Sequence, residues 1–151
     1  MPHSFDNDLL VLVYDLARLM RVRADQRARQ RGMTRAQWVI LSWLERRPGL
    51  SQTELAGLVE SEPITVARLI DRLEARGFVE RRADPKDRRI NRLHLTDAAV
   101  PLLDEIHAHR RALSDELTAG IDPAAVDLTR ETVKRMKANL LDDKTCTAKA
   151  V

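Results

Sequence analysis

The period of the hydrophobic pattern changes at Gly77, and this change constrains the fold more than any other feature of the sequence. Before Gly77, apolar residues recur every three or four positions, as on one face of an α-helix. Leu93 and Leu95 instead alternate with polar residues, as in a β-strand. Helical spacing returns after Thr96. The pattern predicts helices, then a β-hairpin, then further helices, which is a mainly α fold with a small β-hairpin (α+β).

Two short helices are predicted directly before the hairpin. The segment 51–54, Ser-Gln-Thr-Glu, has the spacing of a capping box, in which the hydroxyl and the carboxylate each satisfy a backbone N–H group. A second helix is predicted to start at Pro63, with Ser61 or Glu62 as its cap, and to end at Gly77. The outer face of this second helix carries Thr65, Arg68, Arg72 and Arg76. Two short helices joined by a tight turn, with Thr and Arg outward on the second, are typical of a helix-turn-helix.

Longer helices are predicted on both sides of this region. An apolar stripe at helical spacing predicts a first helix over 6–31, and Thr34 is the expected N-cap of a second helix that should be buried on most sides. Beyond the hairpin, Gly120 separates a long helix from a last one with near-heptad spacing. A helix-turn-helix followed by a β-hairpin is called a winged helix, and the hairpin is its wing. The apolar stripes exceed what one small winged helix can cover, so we expect them to be buried in a homodimer.

The whole chain, 1–151, is accordingly predicted to form one domain with several parts. These parts are a winged helix-turn-helix lobe over 34–96, dimerisation helices over 6–31 and 97–141, and a flexible tail over 142–151.

Positive charge is concentrated in the predicted hairpin. Between residues 81 and 92, six Arg and Lys residues accompany two Asp residues. A helix in the major groove of DNA reads base edges, while a basic hairpin can follow the backbone and reach the minor groove. A helix pair followed by a basic hairpin is a more specific indication of DNA binding than either element alone. A second Arg-rich stretch, 18–35, is better explained as a solvated helix face.

Two segments resemble the MarR family of transcription regulators. Residues 87–96, Asp-Arg-Arg-Ile-Asn-Arg-Leu-His-Leu-Thr, resemble the family's wing signature, and residues 69–79 resemble the end of its recognition helix and its first wing strand. The resemblance extends over about 15–140, and Ala99, where most relatives carry Gly, is closer to the SlyA-like branch. It implies a sequence-specific regulator that binds double-stranded DNA as a homodimer at a pseudopalindromic operator.

The resemblance also assigns roles to individual residues. Those expected at the DNA are Thr65, Arg68, Arg72, Asp87, Arg88 and Arg89. The first three lie on the recognition helix and face the major groove. Arg89 corresponds to the wing-tip arginine that enters the minor groove, with Asp87 fixing its orientation, while Arg88 contacts phosphate or the groove wall.

An effector site is implied in the same way. Arg18 and Trp38 match positions of a pocket in the SlyA-like branch, where a small aromatic carboxylate binds and releases the DNA. A guanidinium pairs bidentately with a carboxylate, and an indole stacks on an aromatic ring. Both residues are also explained without a ligand, Trp38 by core packing and Arg18 by a salt bridge.

The sequence contains no set of residues that would support an enzymatic function. The sequence has no catalytic-triad spacing, Gly-rich phosphate loop or paired carboxylates, so neither an enzyme activity nor a cofactor is predicted. His107 and His109 are two apart on a predicted helix and point to different faces, which argues against a shared metal ion. The single cysteine, Cys146, excludes an internal disulfide, and a redox-sensing role for it is disfavoured by its place in the tail.

The sequence also predicts a location, and one alternative function remains. No apolar run approaches the roughly 18 residues of a membrane span, and residues 1–6 lack the pattern of a signal peptide, so we expect a cytoplasmic protein with no membrane partner. The alternative function is a helical dimerisation or adaptor module whose winged helix binds protein. The arginine-rich wing favours DNA, because a protein-binding wing has no need of minor-groove arginines.

Overall fold

The computed structural model describes residues 7–142, and within that range it is mainly helical with one small antiparallel sheet, as predicted. In chain order the elements are α1 (Leu9–Gln30), α2 (Arg35–Arg46), β1 (Leu50–Ser51), α3 (Gln52–Leu58), α4 (Pro63–Ala75), β2 (Val79–Ala83), β3 (Asn91–Leu95), α5 (Val100–Thr118) and α6 (Pro123–Asp142). None of these helices is long and apolar enough to cross a membrane.

Side-chain caps set the starts of α2 and α3. Thr34 Oγ1 accepts a hydrogen bond from the Gln37 amide at 3.2 Å, and Gln37 Oε1 accepts one from the Thr34 amide at 2.9 Å. The capping box predicted for α3 is confirmed, with Ser51 Oγ accepting from the Glu54 amide at 3.2 Å and Glu54 Oε2 accepting from the Ser51 amide at 2.7 Å. Each box satisfies two backbone N–H groups that a helix start otherwise leaves without a partner.

Two other helix starts differ from the prediction. The sequence predicts an earlier start for α1, but the helix begins at Leu9, because the Asp8 carboxylate accepts hydrogen bonds from two amides of the first turn at 2.8 and 3.3 Å. The sequence also predicts that Thr96 and Asp97 cap the long helix after the hairpin. Instead a 3-10 turn, Asp97–Ala99, precedes α5. Thr96 holds the N-cap position of this turn, but its hydroxyl donates to the carbonyl of Gly77 and not to the turn.

The sheet has three strands in the order β1-β3-β2, with β3 in the centre. The two strands of the predicted hairpin, β2 and β3, pair along their whole length. Strand β1 is an addition that the sequence does not predict. Leu50 pairs with Leu93, and the amide of Gly49 donates to the carbonyl of Leu93 at 2.9 Å. Because β1 runs directly into α3, the hairpin is attached to the helix pair through the backbone.

The core lies where α2, α3, α4 and the sheet meet. Its largest fully buried side chains are Ile40, Leu41, Leu44, Leu55, Val66, Ile70, Leu73, Val79 and Leu93. Three of them come from α2, which is buried over much of its surface, as its apolar sequence predicts. Leu103 and Ile106 from the first half of α5 join the same cluster.

The chain divides after Leu113 into two compact units. In the first unit, α1 leaves a row of large apolar side chains exposed, namely Leu9, Leu10, Leu12, Val13, Tyr14, Leu16, Leu19, Met20 and Val22. In the second unit, the described side chains of α6 include exposed Leu128, Val133, Met136, Leu140 and Leu141. Single exposed apolar residues are ordinary, but rows of them along a helix mark a contact surface.

Candidate DNA-reading surface and effector cavity

Helices α3 and α4 form the predicted helix-turn-helix, with their inner faces packed into the core. The turn between them contains Glu60 at φ 51°, a left-handed conformation that few residues with a side chain adopt. The outward face of α4 carries Thr65, Arg68 and Arg72, all exposed. Spacings of three and four residues bring these side chains onto one face. The three predicted recognition-helix residues therefore lie together on an accessible surface.

The start of α4 is weakly capped. Pro63 is its first residue, which suits the fixed φ of proline. Of the two caps suggested by the sequence, Glu62 holds the N-cap position, but its side chain makes no capping hydrogen bond. The hydroxyl of Ser61 instead donates to the carbonyl of Val59 at 3.3 Å. The first turn of this helix thus lacks the side-chain support that α2 and α3 possess.

The tip of the wing is organised around Asp87. Its Oδ1 accepts hydrogen bonds from the backbone amide and from Nε of Arg89, and its Oδ2 accepts one from Nη2 of Arg89, each at 3.0 Å. These bonds lower the pKa of Asp87 and raise that of Arg89. The Arg89 side chain is nevertheless 89% exposed, so its guanidinium is oriented and accessible at once. Arg88 beside it is also exposed.

The base of the wing is tied to the helix-turn-helix through Arg92. Its Nε donates to Oδ2 of Asp84 at 2.6 Å, and its Nη1 donates to Oε2 of Glu54, the capping residue of α3, at 2.9 Å. Asp84 is only 8% exposed and also accepts from the amides of Lys86 and Asp87 at 2.7 and 3.3 Å. The hydrogen bond from Arg92 is the main cause of a lowered pKa at Asp84. We name this arrangement of Glu54, Arg92 and Asp84 the wing bracket.

The wing bracket is not predictable from the sequence pattern. Arg92 and Arg81 both lie in the basic cluster between residues 81 and 92, where the sequence does not separate them from the arginines at the tip of the hairpin. In the structure the Arg81 guanidinium bonds to Gln52 at 3.0 and 3.1 Å and to Asp71 at 2.6 Å, and it also pairs with Glu74. The basic cluster therefore divides into bracing arginines at the base of the wing and exposed arginines at its tip. The acidic residues at the start of α3 and on α4 were the available signal.

A cavity of about 470 Å³ lies between α1, α2 and α5. Its lining is largely apolar and includes Trp38 and Trp43 of α2 and His109 of α5. Four cationic side chains also line it, namely Arg21, Arg35, Arg46 and Arg110. Arg35 pairs with Asp25 at 3.3 Å, whereas Arg21 and Arg110 have no ion-pair partner among the described residues. A mostly apolar cavity with a few cations suits a small organic anion.

Trp38 and Arg18, the two residues predicted for the effector, lie in different surroundings. Trp38 lines the cavity, is 5% exposed and meets the His109 ring edge-on at 5.7 Å between centroids. Its indole N–H is buried and has no hydrogen-bond acceptor within the described part of the chain. Arg18 is exposed, pairs with Asp15 at 3.4 Å, and is not among the lining residues. Arg21, one turn further along α1, is the lining arginine nearest to it in sequence.

The histidine and cysteine candidates from the sequence are the last to be placed. Nε2 of His107 lies 2.9 Å from Oε2 of Glu45, a contact between α5 and α2. Within residues 7–142, no group of three or more His, Cys, Asp or Glu residues is placed to hold a metal ion. Cys146 and nearly all of the predicted tail lie outside the described residues.

Comparisons with known proteins agree with this geometry. The model of the MarR family matches residues 33–90. The crystal structure of a MarR protein aligns over 94% of this chain and 95% of its own, at 27% identity and a TM-score of 0.81. The transcriptional regulator PA3341 is 34% identical over 89% of this chain and 99% of its own, with a TM-score of 0.77. The transcriptional regulator SlyA shares the fold at 24% identity over 91% of this chain and 96% of its own, with a TM-score of 0.77.

The fold and its accessible arginine faces define a winged helix-turn-helix protein of the DNA-binding class. The chain belongs to the MarR family. It is a transcription regulator, and it is not an enzyme, since the members of this family regulate transcription.

Proposed function

We propose that the chain is a cytoplasmic, homodimeric regulator of the SlyA-like branch that reads a pseudopalindromic operator. In each protomer α4 would enter the major groove and the wing would reach the adjacent minor groove. The observation that carries this proposal is the wing-tip Arg89, which is oriented by Asp87 yet 89% exposed. An arginine whose fork is already oriented loses less side-chain entropy on entering a groove than a freely rotating one.

The roles of the individual residues follow from their positions. Arg68 and Arg72 on α4 carry donors for guanine edges or phosphates, and Thr65 lies in the first turn, which reaches deepest in a helix-turn-helix. Arg88 has the exposure expected of a phosphate contact.

The exposed apolar rows of α1 and α6 support the dimer. Each row places several large apolar side chains side by side in water, which monomeric proteins usually avoid. We propose that they are buried against a second copy, so that the helices within 6–31 and 97–141 form the dimerisation part and 34–96 forms the reading lobe. A two-fold dimer presents two equivalent reading lobes, and its operator is then an inverted repeat.

Selection of bound duplexes from a random DNA pool tests this function. We expect an inverted repeat with half-site centres about one helical turn apart. Arg68→Ala should relax the preference at one base pair in each half-site. Enrichment of no sequence at all would favour the adaptor alternative, and enriched sites without a dyad would contradict the dimeric mode of binding.

A small aromatic carboxylate is the proposed effector, and the cavity between α1, α2 and α5 is its proposed site. Trp38 stays in this proposal because it lines the cavity with a buried N–H group that lacks an acceptor. A carboxylate oxygen would supply that acceptor, and leaving such a group unpaired is costly. We propose Arg21 in place of Arg18 as the partner of the carboxylate, because Arg21 lines the cavity and has no competing ion pair among the described residues. A ligand changes DNA affinity only if it binds the two states of the protein unequally.

Tryptophan fluorescence measures this binding directly. In a Trp43→Phe background, we expect salicylate to quench Trp38 and to lower operator affinity at fixed salt and pH. Arg21→Ala should weaken both effects, while Arg18→Ala is the matched control and should leave them nearly intact. Operator affinity that stays constant up to millimolar salicylate would contradict the effector proposal and leave the DNA-binding proposal standing.

A further inference from the structure

Ile64 is a large apolar residue placed where the fold does not need one. It is the second residue of α4 and is 63% exposed. The inner face of the same helix is already filled by Val66, Ile70 and Leu73, which are fully buried. A branched side chain also has a lower helix propensity than many polar ones. Neither packing nor local helix stability therefore accounts for isoleucine at this position.

The position of Ile64 on the helix places it among the residues proposed to read DNA. Successive residues of an α-helix are separated by about 100°, so Ile64, Arg68, Arg72 and Thr65 fall within one arc of about 100°. All four are exposed. Because side chains on a helix lean toward its N-terminus, Ile64 projects at the leading end of this face. That end of a recognition helix contacts base edges.

The major groove offers few groups that an aliphatic side chain can recognise. Three of the four bases present only hydrogen-bond donors and acceptors there, whereas thymine also presents its C5-methyl group. Isoleucine has no donor or acceptor, so a methyl group is its natural partner. Arg68 and Arg72 on the same face carry the positive charge that a polyanion attracts, which favours DNA over an apolar protein surface as the occupant.

We propose that Ile64 contacts the C5-methyl group of one thymine in each half-site and so selects an A·T pair beside the position read by Arg68. This inference rests on the proposed docking of α4 in the major groove. It adds a specificity-determining residue that reads shape and apolar surface, where the arginines read hydrogen-bond acceptors.

Deoxyuridine scanning tests the contact at the level of a single methyl group. In the duplex obtained by selection, each thymine is replaced in turn by deoxyuridine, which lacks only the C5-methyl group. We expect one position per half-site at which the replacement weakens binding about fourfold, and about fifteenfold when both half-sites are changed, the effect of exposing one or two buried methyl groups. In Ile64→Ala this loss should disappear, because the partner of the methyl group is gone.

Thr65→Ser is the matched control, because it removes the exposed methyl group of the neighbouring residue and should keep the deoxyuridine effect. Ile64→Ala should fold normally, since the side chain is exposed, and circular dichroism checks this. A flat deoxyuridine scan in the unmodified protein, or an equal loss in Ile64→Ala, would overturn the inference. If Arg68→Ala relaxed the preference at no base pair, the proposed docking of α4 would be wrong. If Arg68→Ala relaxed one base pair while the deoxyuridine scan stayed flat, only the proposed role of Ile64 would be wrong.

Discussion

Replacement of Asp87 by Asn separates orientation of the wing tip from its net charge. In the structure the carboxylate holds both Nε and Nη2 of Arg89 at 3.0 Å. Asparagine keeps one oxygen but loses the negative charge and the second acceptor. Charge alone predicts tighter DNA binding, because one negative charge is removed near the phosphates. Orientation predicts weaker operator binding, because Arg89 must then be ordered when it enters the groove.

The two effects differ in size. A unit charge about 10 Å from a phosphate changes affinity by roughly twofold in water, and by less once salt screens it. Ordering a freely rotating side chain costs roughly two- to tenfold in affinity, and a dimer has two wings. Ordering two wings costs roughly four- to hundredfold, and removing two screened charges restores about twofold. We therefore expect Asp87→Asn to weaken operator binding by about two- to fiftyfold, with at most a slight gain on a scrambled duplex.

Fluorescence anisotropy at one salt concentration measures the affinity for the selected operator and the affinity for the scrambled duplex. Arg89→Ala should weaken operator binding further, and adding Asp87→Asn to it should cost nothing more, because Asp87 acts through Arg89. Arg130→Ala is the control, since it removes an arginine paired with Asp127 on α6 and outside the winged helix. Operator binding that is unchanged or tighter in Asp87→Asn would refute the orienting role.

Three further predictions concern assembly and stability. Leu16→Glu, within the exposed row of α1, should shift the protein from dimer to monomer in light scattering at micromolar concentration, while Gln26→Glu on the same helix should not. Glu62→Asp keeps the charge but supplies a side chain that caps well, so it should raise the free energy of unfolding by about 0.5–1 kcal/mol in urea titration; a decrease would show that Glu62 already stabilises α4. The hydrogen bond from Arg92 lowers the pKa of Asp84, so the stability it contributes is present above the unfolded value of 3.8 and is lost as the pH falls through the lower folded value. Asp84→Asn should consequently show a smaller loss of unfolding free energy than the unmodified protein between neutral pH and about pH 3 in the same titration, and an equal loss would contradict this account.

Features set by residues close together in the chain were predictable from the sequence. The capping box of Ser51 and Glu54 depends on residues three apart, and the hairpin depends on alternation within two short segments. The order of these elements, with the wing signature over 87–96, is enough to predict the family and the fold. The exposure of Thr65 and Arg68 follows from the same helical periodicity.

Features set by residues far apart in the chain were not predictable in this way. Strand β1 has two residues, too few for a periodic signal, and it forms because Leu50 meets Leu93 across the sheet. The contact of Arg92 with Glu54 joins residues 38 positions apart, so charge counting alone could not distinguish a bracing arginine from a DNA-contacting one. The lining of the cavity likewise depends on how α1, α2 and α5 pack, which decides that Arg21 lines it and Arg18 does not.

The wing bracket also bears on how operators for this protein can change over time. Arg92 ties the wing loop to the cap of α3. In the proposed docking, the distance between the bases under α4 and the bases under the wing would therefore be nearly constant within one protomer. A base pair inserted inside a half-site would separate its two contacts and should be lost by selection. Small changes at the centre of the repeat would instead shift one intact half-site relative to the other. Across a set of natural operators, we therefore expect drift in spacing to accumulate at the dyad and to be rare within each half.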